Sequence, residues 1–180
     1  MLIREEIDED HVAVADLQRR AFGDGAANVA AYLADLRASL KSKLGLSLVA
    51  VDEDEVVGHA LFTSNLLDTP KSLVEVQVLS PLGVLPARQR QGIGSALVKA
   101  GLDELTSLQV PLVILEGSPT YYARFGFVPG RQIGLRRPSL RIPESAFQAK
   151  TLPTYQSRMT GTLVYQQVFW DHDAVGLRDG

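Results

Sequence analysis

Apolar positions recur along this chain in two rhythms, and the switches between them mark out its elements. Leu2–Glu5 reads as a short opening strand. Asp8, Glu9 and Asp10 then put acids where a helix N-terminus favours them, and Val14, Leu17 and Ala21 recur at helical spacing until Phe22 and Gly23 close the segment. A second helix is predicted over residues 26–40, with Val29, Tyr32, Leu33, Leu36 and Leu40 on one face. The two helices are expected to cover one side of a sheet. Residues 46–52 and 56–64 are β-branched apolar runs around Asp52-Glu53-Asp54-Glu55, which predicts an antiparallel hairpin. A third run, residues 73–85, is interrupted by Pro81 and Gly83. Proline cannot donate to a ladder, so two strand halves are expected, 74–79 and 82–85, joined by a kink.

Further along, Ile93, Leu97, Leu102, Leu105 and Leu108 share one face of a helix predicted over residues 92–108, and residues 110–115 read as a buried strand. Strand, helix, strand implies a right-handed crossover and a parallel pair. Pro119 suits the first turn of a short helix that Gly126 ends. Beyond Phe127 the pattern weakens among Pro129, Gly130, Gly134, Pro138 and Pro143. There Arg131, Arg136, Arg137 and Arg141 read as a solvated loop, with a flap over an anionic ligand as the alternative. Residues 146–152 and 161–169 read as two closing strands, an antiparallel pair, and the chain from Trp170 onward as a tail. The expectation is one domain over residues 1–170 followed by a tail at 171–180.

Composition narrows the chemistry. The chain has 180 residues, enough for a sizeable core, and a formal net charge of −3 gives no general attraction to nucleic acid or to an anionic membrane. It has no cysteine, which excludes disulfides, thiolate metal sites and a cysteine nucleophile. His11, His59 and His172 offer no metal-ligand spacing, so no metal is expected, and His59 reads as a structural residue of its strand. The first residues lack the apolar core of a signal peptide and no 18-residue apolar run occurs, which makes a cytoplasmic location the default.

The stretch that carries chemistry is Arg88-Gln89-Arg90-Gln91-Gly92-Ile93-Gly94-Ser95. It joins an apolar run to a long amphipathic helix, so backbone N–H groups and the positive end of the helix dipole converge where two glycines let an anion approach. Arg88 and Arg90 add permanent charge beside it. A phosphate or pyrophosphate suits this site. The Gly-Lys-Ser/Thr phosphate loop is absent, since Ser95 has no preceding lysine. A dinucleotide fold is the rival, with Gly92-Ile93-Gly94 spaced correctly and Glu116 near the ribose-binding position. Against it, Leu97 fills the third glycine position, and Pro86 with an arginine–glutamine run separates the strand from the glycines.

Leu82-Gly83-Val84, Gln89-Arg90-Gln91-Gly92-Ile93-Gly94 and Tyr121-Tyr122-Ala123-Arg124-Phe125-Gly126-Phe127 together resemble the GCN5-related N-acetyltransferase (GNAT) superfamily. The resemblance covers residues 1–128 and is most like a bacterial branch carrying the Tyr-Tyr-x-Arg-Phe-Gly-Phe element. It implies an α/β fold, a mixed, twisted sheet of about seven strands with helices on both faces and splayed central strands. It also implies acetyl-CoA as co-substrate and a primary amine as acceptor. Gln89, Gly92 and Gly94 fill the family's pyrophosphate signature, with Arg90, Gln91, Ile93 and Ser95 between and beside them. Backbone groups near Leu82 and Val84 are then expected to hold the pantetheine arm, and Tyr122 to act as general acid. Glu75, Glu116 and Ser80 are candidates for holding a proton-relaying water. A non-catalytic acyl-CoA-binding domain stays as the alternative, and the closing strands offer a surface for a homodimer.

Overall fold

A computed structural model describes residues 1–23, 28–40 and 45–177. The chain divides into two compact units, Met1–Thr63 with Leu79–Glu104, and Ser64–Val78 with Leu105–Gly180. Two long strands, β3 (Glu55–Asp68) and β4 (Leu73–Val84), run through both. The described strands form a nine-stranded, mostly antiparallel sheet in the order β1-β2-β3-β4-β5-β8-β6, with β9 joined to β3 and β7 to β9.

In the first unit β1 (Leu2–Glu5) pairs with β2 (Leu46–Asp52), which forms the expected hairpin with β3. Glu53 and Asp54 both adopt positive φ, 50° and 65°, the geometry of a two-residue turn whose twist matches that of its strands. Helix α1 (His11–Phe22) buries Val14 and Leu17, and α2 (Val29–Leu40) buries Tyr32, Leu33 and Leu36, as their spacing requires. The predicted start of the second helix at Ala26 lies outside the described residues. Helix α3 (Ile93–Ser107) packs on the other face of β3. A Cβ built on Gly58 would lie 2.7 Å from Ile93 and 2.9 Å from Leu97, whereas the next residue, His59, points to α1. Alternation along one strand thus puts helices on both faces.

In the second unit β5 (Leu112–Glu116) is buried along four of its five residues, the pattern of a strand covered on both sides. It pairs in parallel with β4 through Gln77–Val113 and Val78–Ile114, and antiparallel with β8 (Phe147–Thr151). After the short helix α4 (Pro119–Tyr122), β6 (Val128–Pro129) and β7 (Leu135–Arg136) are two-residue strands, too short to show alternation in a sequence, which is why about seven strands become nine.

The C-terminal part corrects the sequence reading. β8 and β9 (Gly161–Val164) do not pair with each other: β8 joins β5 and β6, while β9 joins β3 and β7. The strand expected over residues 161–169 ends at Val164, and Gln167–Asp171 forms helix α5. Gln166 (φ −57°, ψ 151°) caps this helix, and Tyr165 ahead of it stacks on Phe169 within it, ring centres 4.6 Å apart. Past the expected end of the domain, Val175 is fully buried and the Leu177 N–H donates to the Arg141 carbonyl at 3.1 Å.

Gly101 measures how tightly α3 packs. A Cβ built there would lie 2.3 Å from two atoms of the fully buried Phe62 ring. Gly→Ala within a helix ordinarily gains up to about 1 kcal/mol. Overpacking against a ring with no space to retreat costs about 1–3 kcal/mol. The second effect wins, so Gly101→Ala should lower the melting temperature, measured by thermal unfolding; an increase would show that Phe62 can move.

Candidate active site

The first unit builds the anion-binding turn. After β4, Leu85 N–H donates to the Val57 carbonyl at 3.0 Å, and a 3₁₀ turn at Pro86–Arg88 closes with Arg88 N–H on the Leu85 carbonyl at 2.8 Å. Arg90 (φ 61°) and Gly92 (φ 87°) then enter the left-handed region, and α3 takes hold where Ala96 N–H reaches the Gly92 carbonyl at 2.9 Å. Between these bonds, the backbone N–H groups of Arg90, Gln91, Gly92, Ile93, Gly94 and Ser95 meet no acceptor among the described residues. Alternating left- and right-handed residues turn successive N–H groups toward a common concavity, and the helix dipole adds positive potential there. Gly92 is required by its φ rather than by crowding, since a Cβ there would meet nothing within 4 Å.

The side chains around the turn divide their work. Arg88 is ion-paired with Asp52 at the hairpin turn, and Asp52 also holds the N-terminal ammonium at 3.0 Å. That ammonium, and then Arg88, hold the Asp52 carboxyl below its ordinary range. Arg88 therefore anchors the turn, and Arg90, exposed and without an ion pair among the described residues, is the cation left to a ligand. Gln89 Nε2 donates to the Val84 carbonyl at 3.2 Å and Gln91 Nε2 to the Ala87 carbonyl at 3.3 Å, tying both glutamines back to their own loop. Leu82 and Val84 are half-buried at the end of β4.

The second unit holds the other candidates. Tyr122 closes α4, and its ring lies over Gly117, where a Cβ would come within 2.4 Å of Cε2. Tyr121, Phe127 and Phe125 surround it at ring distances of 4.9, 5.7 and 6.4 Å. Burial, and secondarily Tyr121, push the Tyr122 phenol well above its ordinary value, and its hydroxyl makes no hydrogen bond among the described residues. Tyr121 is occupied differently: the Arg124 guanidinium stacks 4.7 Å from its ring centre and Arg124 Nε donates to its carbonyl at 2.9 Å.

Glu116 ends β5, next to the glycine that Tyr122 covers, so these two candidates lie side by side. Tyr165 Oη donates to Glu116 Oε1 at 2.7 Å and Gly176 N–H to Oε2 at 3.0 Å. Glu75 is exposed and accepts a 2.5 Å bond from Ser64 Oγ. Ser80, in the first unit, lies 3.4 Å from the Tyr32 hydroxyl. The arginines after Phe127 pair locally, Arg131 with Glu144 at 3.0 Å and Arg141 with Asp173 at 3.1 Å. The sequence marks Tyr165 only as an aromatic four residues before Phe169.

Residues 3–130 match the model of the acetyltransferase (GNAT) domain. The chain belongs to the GNAT acetyltransferase family. It is 34% identical to the uncharacterized N-acetyltransferase YhbS of Escherichia coli over 173 residues, 94% of this chain and 98% of that protein. It is also 33% identical to the uncharacterized N-acetyltransferase YjhQ of the same organism, over 116 residues that make up 64% of this chain but 63% of that one. The crystal structure of YhbS in complex with CoA superposes with a TM-score of 0.80 at 31% identity, covering 93% of this chain and 91% of the other. A GNAT acetyltransferase from Brucella melitensis in complex with acetyl-CoA gives 0.73 at 29%, covering 93% and 97%. Family membership removes the dinucleotide fold as a rival. Among the described residues no helix is long and apolar enough to cross a membrane, and no three His, Asp or Glu side chains converge as a metal site.

The environment of Glu116 has a consequence for stability. Burial raises its carboxyl above the ordinary 4.5, and the Tyr165 and Gly176 hydrogen bonds and the charge of Arg141 only partly offset this. A raised carboxyl favours the folded state when protonated, so this contribution is lost as pH rises from the unfolded value through the folded one. Glu116→Gln removes the titration. The stability difference between variant and native chain should therefore move in the variant's favour as pH rises above the ordinary carboxylate value, read by denaturant unfolding at successive pH values. A pH-independent difference would contradict the burial assigned to this group.

Proposed function

We propose that the chain transfers an acetyl group from acetyl-CoA to a primary amine by direct transfer, as an acetyl-CoA-dependent N-acetyltransferase. The observation that carries this reading is the row of N–H groups from Arg90 to Ser95 that meet no acceptor among the described residues, set on the Gln89-x-x-Gly92-x-Gly94 signature. The relatives solved with CoA or acetyl-CoA support it. The turn fits a pyrophosphate, because it offers several donors in a row, an uncrowded glycine and an unpaired arginine. Leu82 and Val84 supply backbone groups for the pantetheine arm.

An alkyl amine has a pKa of ~10.4, so at pH 7 only about one molecule in a few thousand is uncharged and nucleophilic. The site must take a proton from it, and Glu116, Glu75 and Ser80 are the groups proposed to hold the relaying water. The amine nitrogen then bonds to the acetyl carbon and the carbon–sulfur bond breaks; the thiolate receives a proton to give free coenzyme A, and the second proton leaving the nitrogen restores the donor. We assign the donor's role to Tyr122. An ordinary phenol is already protonated at neutral pH, so burial gains no proton and makes Tyr122 the weaker acid; what suits it to the role is a phenol O–H whose hydrogen bond strengthens as charge gathers on sulfur.

Two variants test the assignment. Charge-assisted bonds from backbone N–H groups are worth roughly 1.5–3 kcal/mol each. Gly94→Glu puts a carboxylate in front of several, so the affinity for acetyl-CoA, measured by calorimetry, should fall at least about tenfold in a folded variant. Unchanged affinity rejects the coenzyme reading. Tyr122→Phe should reduce turnover by about 10²-fold with coenzyme affinity nearly preserved, while Tyr121→Phe should be mild. The assay is release of free coenzyme A over a panel of amines. Binding without release on any amine would make the chain an acyl-CoA-binding domain, and full turnover by Tyr122→Phe would make that tyrosine structural.

A further inference from the structure

Beneath the outer half of β4 lies a buried polar chain that nothing above uses. Arg37 donates to Glu6 through NH2 at 2.5 Å and Nε at 3.1 Å, and Ser47 Oγ donates to Glu6 Oε2 at 2.6 Å. His59 Nε2 is 3.0 Å from Ser47 Oγ, and His59 Nδ1 is 2.7 Å from Gln18 Nε2. Gln18 and His59 are both completely buried. Gln18 Oε1, also buried, has no hydrogen-bond partner among the described residues. It is not facing empty space, for a Cβ built on Gly83 would lie 2.3 Å from Oε1, 2.8 Å from Cδ and 3.0 Å from Nε2. Only a glycine at position 83 lets β4 run this close to the amide.

The direction of every bond in the chain follows from its charged end. Burial opposes ionisation of Glu6, but His59, Arg37 and Ser47 outweigh it and hold its carboxyl far below the ordinary range, so Glu6 is an acceptor only. Ser47 must then spend its one proton on Glu6, which leaves its oxygen to accept from His59 Nε2–H. Burial keeps His59 neutral, so Nδ1 is bare and can only accept. The group offered to it must be the Gln18 NH₂. The Gln18 carbonyl is thereby committed to the opposite side, against Gly83. A leucine or methionine at position 18 would remove the unsatisfied Oε1 but leave the buried His59 Nδ1 without its donor. The sequence held one faint signal: Gln18 lies four residues after Val14 and three before Ala21, a polar residue on the apolar stripe of α1.

We infer that Gln18 is a positioning residue for the ligand-holding segment of β4: its amide, oriented through His59 and Ser47 by Glu6, sets the course of the backbone from Leu82 to Val84. This rests on the reading of Leu82 and Val84 as the groups that receive the pantetheine arm. The amide touches β4 from one face and leaves its edge to the ligand. None of these hydrogen bonds reaches the turn from Arg90 to Ser95, so the two halves of coenzyme recognition can be probed separately.

The test compares acetyl-CoA with adenosine 3′,5′-bisphosphate, a probe that offers phosphates but no pantetheine arm, by calorimetry on the full-length chain. Gln18→Met should weaken acetyl-CoA about tenfold and leave the bisphosphate unchanged. Equal affinities for acetyl-CoA in variant and native chain, or equal losses for both probes, overturn the inference. If the native chain binds neither probe, the coenzyme reading fails first and takes this inference with it. Where Gln18→Met does not fold, the native chain serves: the His59 Nδ1 resonance should shift with acetyl-CoA and not with the bisphosphate, and an unmoved Nδ1 under saturating acetyl-CoA is the contrary result.

Discussion

Backbone donors without acceptors are the constraint on which this molecule turns. A strand that becomes a helix through left-handed residues cannot satisfy the N–H groups from Arg90 to Ser95 internally, and none of them meets an acceptor among the described residues. Water meets their needs in the free chain, and an anion meets them better. Much else in the first unit holds this turn in place: the Arg88–Asp52 pair, the N-terminal ammonium on the same carboxylate, and the two glutamines bonded back to the loop carbonyls.

What could be read from the sequence follows the range of the forces involved. The turn at 88–95 was legible because its determinants are local: glycines for φ, an apolar run before it and a periodic helix after it. The hairpin was legible for the same reason, with four acidic residues between β-branched runs. Arg88 shows the limit. Its charge was plain in the sequence, but its partner Asp52 lies 36 positions away, so it reads as a second phosphate ligand until the fold is known. The sequence says still less about Gln18 and His59, whose bond spans 41 positions and whose meaning depends on a third element, β4. The closing strands failed for another reason. Residues 161–169 are apolar enough for a strand, but the strand stops at Val164 and Gln166 caps a short helix, which brings Phe169 back onto Tyr165.

Glu116 and Tyr122 show how one element end serves two demands. Both sit at the C-terminal end of β5, where burial pushes both side chains toward their neutral forms. For the phenol, already protonated at neutral pH, this only weakens the acid. For the carboxyl it lessens the charge that Tyr165 and Gly176 must support, and those two donors fasten the C-terminal segment to the strand. A chain ending at residue 170 would leave Glu116 without its Gly176 partner.

The central claim is that the turn from Arg90 to Ser95, with Leu82 and Val84, receives acetyl-CoA. Amide-resolved NMR of the uniformly ¹⁵N-labelled chain tests it most directly, since it reads those N–H groups one by one. Titration with acetyl-CoA should move the amides of residues 90–95 and of the Leu82–Val84 segment, those of the turn toward the positions of strongly hydrogen-bonded donors, while NAD leaves them in place. Amides that stay fixed under saturating acetyl-CoA, or that answer NAD equally well, would contradict the account.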